Sequence, residues 1–165
     1  MKTVDIKDLV KVVVLYCNLN GLSISPLKLQ KILYYIQAWH IAKFDKAPLF
    51  DELPEAWVNG PVYRSVYNLL KPKFFRNDSI ERKIEKSVGQ DFDDALGDLD
   101  LTEEQKSVLN SVLKFYCPKD DGTLVLKTHS DDPWNEAREG LGPFERSTNH
   151  ISVDSMYNFY SAKLV

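Results

Sequence analysis

Reactive and metal-binding side chains are scarce in this chain. Of its 165 residues only two are cysteine and three are histidine. Cys17 and Cys117 stand far apart with no Cys-x-x-Cys pair, and His40, His129 and His150 form neither a His-x-x-x-His nor a His-Glu-x-x-His spacing. That excludes the usual zinc patterns, and two isolated cysteines read as buried free thiols in a reducing compartment. The seven glycines are scattered, with no Gly-rich phosphate cradle and no Gly-x-Ser-x-Gly nucleophile turn. No apolar run approaches the ~18 residues that span a bilayer. The N-terminal stretch is broken by Lys7, Asp8 and Lys11, so it is not a secretory signal. We therefore expect a cytoplasmic protein that is not an enzyme, with no catalytic residues, no metal, no cofactor and no membrane partner.

A strongly basic balance is missing too. The formal charge is −3, so no global nucleic-acid footprint exists, although a local patch is open. What is abundant is apolar and aromatic side chain, 44% and 12% of the residues. That composition and length suit one folded domain over 1–165 with its own core.

Periodicity makes the chain mainly α. Ile6, Leu9, Val10, Val13, Val14 and Cys17 recur at helical spacing from about Asp5 to Leu19, and Asn20-Gly21 supplies a stop. A second helix opens at Ser25-Pro26 and runs to about Phe44, with Leu29, Ile32, Leu33, Ile36 and His40 on one face. Segments 47–50 and 55–58 suit short strands. Gly60-Pro61 should restart a helix that ends before Pro72. Residues 71–101 predict loose connections with a strand near Ile80–Ile84. Thr102 and Gln105 make a capping box, Thr123 suits the cap of a helix through His129, Asp132-Pro133 starts another, and Ser152 caps a last helix over about 152–163. The expected fold is a compact bundle of about six helices with at most a small two- or three-stranded sheet.

Three features bear on function. Asp91 to Asp98 resembles a calcium loop in its carboxylates, but Ala95 occupies the fifth position and the glycine comes one residue late. His129 with Asp131 and Asp132 admits either a catalytic or metal-binding group or the ordinary helix-cap use of carboxylates before a proline. Lys71, Lys73, Arg76, Arg82, Lys83 and Lys86 surround Phe74 and Phe75, whereas 91–104 carries only acidic charges. Both runs suit solvated surface, a charged partner surface, or, for the basic–aromatic run 71–86, a nucleic-acid-binding regulator.

Three groups of residues carry a resemblance. They are Ile24 to Lys31 leading to Tyr34-Tyr35 and Gln37 to His40; Pro48 to Phe50 followed by Glu55 to Val58, Gly60 to Val62 and Val66-Tyr67; and Leu126, Thr128-His129, Pro133-Trp134 and Ala137-Arg138. In order and spacing, within about 6–140, the chain resembles the Panacea domain of SocA-like antitoxins and phage-associated GepA-like proteins. The resemblance implies an antitoxin that neutralises a cognate protein toxin by direct binding. In SocA-like members it implies also an adaptor to a cytoplasmic AAA+ protease, and self-association stays open.

Within the signature Pro26, Trp39, His40, Trp57, Gly60, Pro61, His129, Pro133, Trp134 and Arg138 read as structural. The tryptophans are expected in the core, where Trp57→Ala would cost about 3–5 kcal/mol. Tyr34, Gln37, Tyr63 and Arg138 suit either inter-helix hydrogen bonds or partner contacts. The partner-binding surface is expected from exposed groups around Tyr34, Gln37, Tyr63, Phe74, Phe75 and Arg76.

Overall fold

A computed structural model describes residues 1–76 and 91–164, and for residues 72–76 the backbone alone. It is mainly helical: eight helices and one two-stranded antiparallel sheet among the described residues. Helix α1, Ile6–Leu19, is capped by the Asp5 carboxylate, which accepts from the Lys7 N–H. It stops at Asn20, and Gly21 follows in the left-handed region at φ +66°.

Helix α2, Pro26–Lys43, is the axis of the molecule. Ser25 caps it and Pro26 fills its first position, as the sequence predicts. The expected single apolar face is corrected: α2 is buried around nearly its whole circumference. Its neighbours α1, α3 (Arg64–Arg76), α5 (Glu103–Tyr116), α6 (Asp121–Ser130) and α8 (Val153–Ser161) enclose it. Lys28, Gln30, Lys31, Gln37 and His40 are consequently buried with the apolar residues.

Strands β1, Glu55–Trp57, and β2, Gly60–Val62, pair antiparallel across a Val58-Asn59 turn. The Gly60-Pro61 pair therefore forms a strand rather than restarting a helix; α3 begins at Arg64. There the Glu52 carboxylate accepts from the Ser65 N–H at 3.1 Å, an anion at a helix N-terminus. Pro72 does not end α3, which continues to Arg76. Burial of Val66 and Leu70 at its interface with α2 favours the helix despite the bond that proline forfeits.

Residues 47–50 are not a strand. Their backbone groups are satisfied by side chains of α2 and by the Val4 N–H, which bonds Leu49 O at 2.8 Å. Part of the segment expected to be loose is helical: α4, Phe92–Asp98, is capped by Asp91. The acidic run thus supplies first-turn carboxylates to α4 and α5, where the helix dipole favours them. The suggested strand near Ile80–Ile84 lies outside the described residues. The Thr102–Gln105 capping box is present, whereas α6 is capped by Asp120 and not Thr123. Helix α7, Asp132–Ala137, and α8 follow, with Ser152 capping α8. Cys17 and Cys117 are buried and form no disulfide, and no helix among the described residues is long and apolar enough to cross a membrane.

Candidate partner interface

The signature residues converge on the β1–β2 hairpin, and they do so through its backbone. Gln30 accepts from the Tyr63 N–H at 2.8 Å and donates to the Tyr63 carbonyl at 3.2 Å. Two turns later Gln37 repeats the arrangement on the preceding segment, accepting from Leu49 N–H at 2.7 Å and donating to Phe50 O at 2.8 Å. A primary amide carries one acceptor and donors on one planar group, so each glutamine replaces a missing strand partner. His40 lies 2.8 Å from Ala47 O through Nδ1 and 3.0 Å from Gln105 Nε2 through Nε2. Donating at the first and accepting at the second makes it neutral, in keeping with burial, which lowers its pKa despite the Ala47 bond.

Lys31 is wholly buried, and its Nζ donates to Pro61 O at 3.0 Å. Burial brings its pKa down to about 7, with Asp121 pulling weakly the other way. The side chain passes directly against Gly60: a Cβ there would lie 2.7 Å from Lys31 Cε and 2.9 Å from Thr128 Oγ1. At φ +111° Gly60 also occupies backbone space that other residues resist.

The last part of the signature holds the hairpin from the other side. Trp134 Nε1 donates to Trp57 O at 2.8 Å, and Arg138 Nη1 to Ala56 O at 2.9 Å. His129 stacks on Trp134 with ring centroids 4.0 Å apart and hydrogen-bonds the Val58 backbone; burial lowers its pKa against that bond. His129 and Asp131, two of the three residues suggested as a His–Asp group, thus work apart. Asp131 stands at the N-cap of α7, but its side chain makes no cap hydrogen bond. Its carboxylate accepts from Tyr35 and Tyr160 hydroxyls at 2.9 and 2.7 Å, charge-assisted bonds inside a tyrosine cluster. Tyr160 also bonds Tyr34, and Tyr35 stacks on Tyr116 at 4.1 Å.

Three expected contact residues are corrected by burial. Tyr34, Gln37 and Tyr63 are enclosed in the core and offer no exposed surface. A chain that builds its bundle around α2 leaves no solvent side for them. Phe74, Phe75 and Arg76 end α3, but their side chains lie outside the described residues, as does the rest of the basic run from 77 onward. Arg138 is a buried hairpin anchor.

Trp57 is corrected the other way. It is only half-buried, standing at the surface with its Nε1 donating to Glu55 Oε1 at 3.0 Å. The Arg64 guanidinium lies 5.0 Å from the Trp57 ring and binds Glu55 through Nε at 3.1 Å and Nη2 at 2.8 Å. Burial pushes the Glu55 carboxyl up, yet the bonds from Arg64 and Trp57 outweigh it and hold the group below the usual range. Tyr67 packs edge-on against Trp57, ring centroids 4.9 Å apart. Trp39, also half-buried, donates to the Tyr116 hydroxyl at 2.8 Å.

A groove of about 700 Å³ opens beside Trp57, bounded by Leu27 and Gln30 of α2, the hairpin turn, Arg64 and Tyr67 of α3, and Arg146 to Thr148. Sequence reasoning missed this loop's part. Its signal is Arg138, whose Nη2 donates to Gly142 O at 3.1 Å and Glu145 O at 2.5 Å while Nη1 holds the hairpin. Asn149 closes the turn by donating to Ala137 O at 3.1 Å, and its own carbonyl accepts from the Ala56 N–H at 2.8 Å. Hairpin and loop are therefore one rigid unit. The loop carries Phe144 outward, 86% exposed.

A family model described as Antitoxin SocA-like, Panacea domain, matches residues 29–135. The match spans well over half of the chain and takes in α2, the hairpin, α3 and the helices through most of α7. The chain belongs to the SocA-like antitoxin, Panacea-domain family. No curated protein and no solved structure matches it.

Proposed function

We propose that this protein is the antitoxin of a toxin–antitoxin pair and neutralises its cognate protein toxin by direct, stoichiometric binding. One observation carries the reading. Within the segment that matches an antitoxin family, Gln30, Lys31 and Trp134 are spent on fixing the backbone of the hairpin and its flank. Such an arrangement holds a surface in a set shape and leaves those groups no part in chemistry, which suits a protein that acts by complementarity. On this reading the protein turns over no substrate.

Co-expression tests it. The product of a neighbouring open reading frame should arrest growth alone and cease to do so with this chain present, and the two should co-purify. Absence of any such neighbour, or rescue without a complex, would overturn the proposal. Toxin abundance separates two routes: unchanged levels during rescue mean sequestration, and falling levels that recover in cells lacking an AAA+ protease mean delivery for degradation.

A further inference from the structure

We propose that the groove beside Trp57 docks an extended segment of a protein partner in which a carboxylate side chain neighbours apolar ones. The inference builds on the antitoxin reading and names where, and by what chemistry, the toxin would be gripped.

The wall of the groove is unlike the rest of the molecule. Arg64 and Arg146 border it and no aspartate or glutamate does, on a chain whose net charge is −3. Arg146 is exposed and forms no ion pair among the described residues. Leu27, Val58 and Val62 join the faces of Trp57 and Tyr67 to give apolar surface between the two cations. Trp, Tyr and Arg together, on a preset frame, are the composition of a binding hot spot.

The frame is preset on both sides. Glu55 fixes Arg64 over Trp57 by two hydrogen bonds. Arg138 grips the carbonyls of Gly142 and Glu145 and so ties down the loop that brings Arg146, Ser147 and Thr148 to the groove. Little conformational entropy is left to lose when a partner arrives. A polyanion such as nucleic acid fits poorly: Glu55 already pairs with Arg64, so of the two arginines Arg146 is the one left for a single incoming carboxylate, and phosphate tracking needs a row of cations.

A random-peptide display library is panned on the folded full-length chain, with the Arg146→Glu variant as counter-target. Arg146 is exposed, so the variant should melt with the parent. Recovered peptides should carry Asp or Glu beside aliphatic or aromatic residues and bind the variant at least roughly tenfold more weakly. Recovery of no peptide, of peptides without acidic residues, or of peptides that bind both chains equally would overturn the proposal. So would tighter binding of a single-stranded oligonucleotide at this site. The co-expression assay keeps the two ideas apart. If the Arg146→Glu variant still rescues growth with an unchanged toxin affinity, the groove falls and the antitoxin reading stands. Peptides that behave as expected, with no toxin found, leave the groove standing and remove the antitoxin.

Discussion

Lys31 reaches the carbonyl oxygen of Pro61 at 3.0 Å from inside the protein, and among the described residues no carboxylate is hydrogen-bonded to its ammonium. Its folded pKa of about 7, against 10.5 for an ordinary lysine, makes stability depend on pH. Between those values the unfolded chain binds the proton and the folded chain does not, so stability rises with pH. It falls again as pH drops toward 7 and levels out below. From pH 7 to 8.5 the gain should be roughly 1.5 kcal/mol by urea unfolding. Lys31→Met should flatten that slope; a parallel slope in the variant would remove Lys31 as its origin. Above pH 9 to 10 the trend should reverse, since the hydrogen bond with Cys17 and burial raise the Cys117 thiol, and burial raises the Tyr34, Tyr35 and Tyr160 hydroxyls.

Gln30 and Gln37 each satisfy two buried backbone groups, so replacing either by an apolar residue of similar length orphans a donor and an acceptor together. Gln30→Met should cost about 2–4 kcal/mol, and Gln37→Met a similar amount. Amide exchange at Tyr63 should accelerate in the first variant and at Leu49 in the second. Exchange left unaltered at both would show that other groups hold these segments.

Gly60→Ala meets two separate obstacles, a left-handed backbone and contacts of 2.7 and 2.9 Å with Lys31 and Thr128. A loss of about 2–4 kcal/mol is expected. Adding Lys31→Ala should recover only the Lys31 part of the clash, leaving the Thr128 contact and the conformational cost. Full recovery in the double variant would mean that the backbone conformation costs nothing.

Trp57 and Trp134 should part company under alanine substitution. Trp134 is buried and anchors the hairpin, so its removal should cost about 3–5 kcal/mol. Trp57 is half-exposed, and its loss should cost about 1–2 kcal/mol while abolishing a groove wall. Thermal melts of the two variants, followed by toxin binding for Trp57→Ala, check both halves. Equal destabilisation would return Trp57 to the core.

Much of the frame was legible because its causes are local. Ser25, Thr102 and Ser152 cap helices within three residues of their own position, and the spacing of apolar residues outlines α1, α2, α5 and α8. Prolines misled, since Pro61 lies in a strand and Pro72 within α3. The rule that a proline breaks or starts a helix is a local preference, and packing against α2 outweighed it. Burial of Tyr34, Gln37 and Tyr63 was equally hidden. Their side chains are amphipathic, and only the number of elements surrounding α2 decides whether they meet water.

By itself the sequence determined a helical chain with a recognisable antitoxin signature and no familiar catalytic pattern. Tertiary structure alone decided what that signature does. Trp134 finds the carbonyl of Trp57 across 77 residues, Arg138 that of Ala56 across 82, and Tyr35 the carboxylate of Asp131 across 96. Such bonds are specified by where helices pack, not by any spacing along the chain. The groove at Trp57 exists because two segments distant in sequence are tied to one buried arginine.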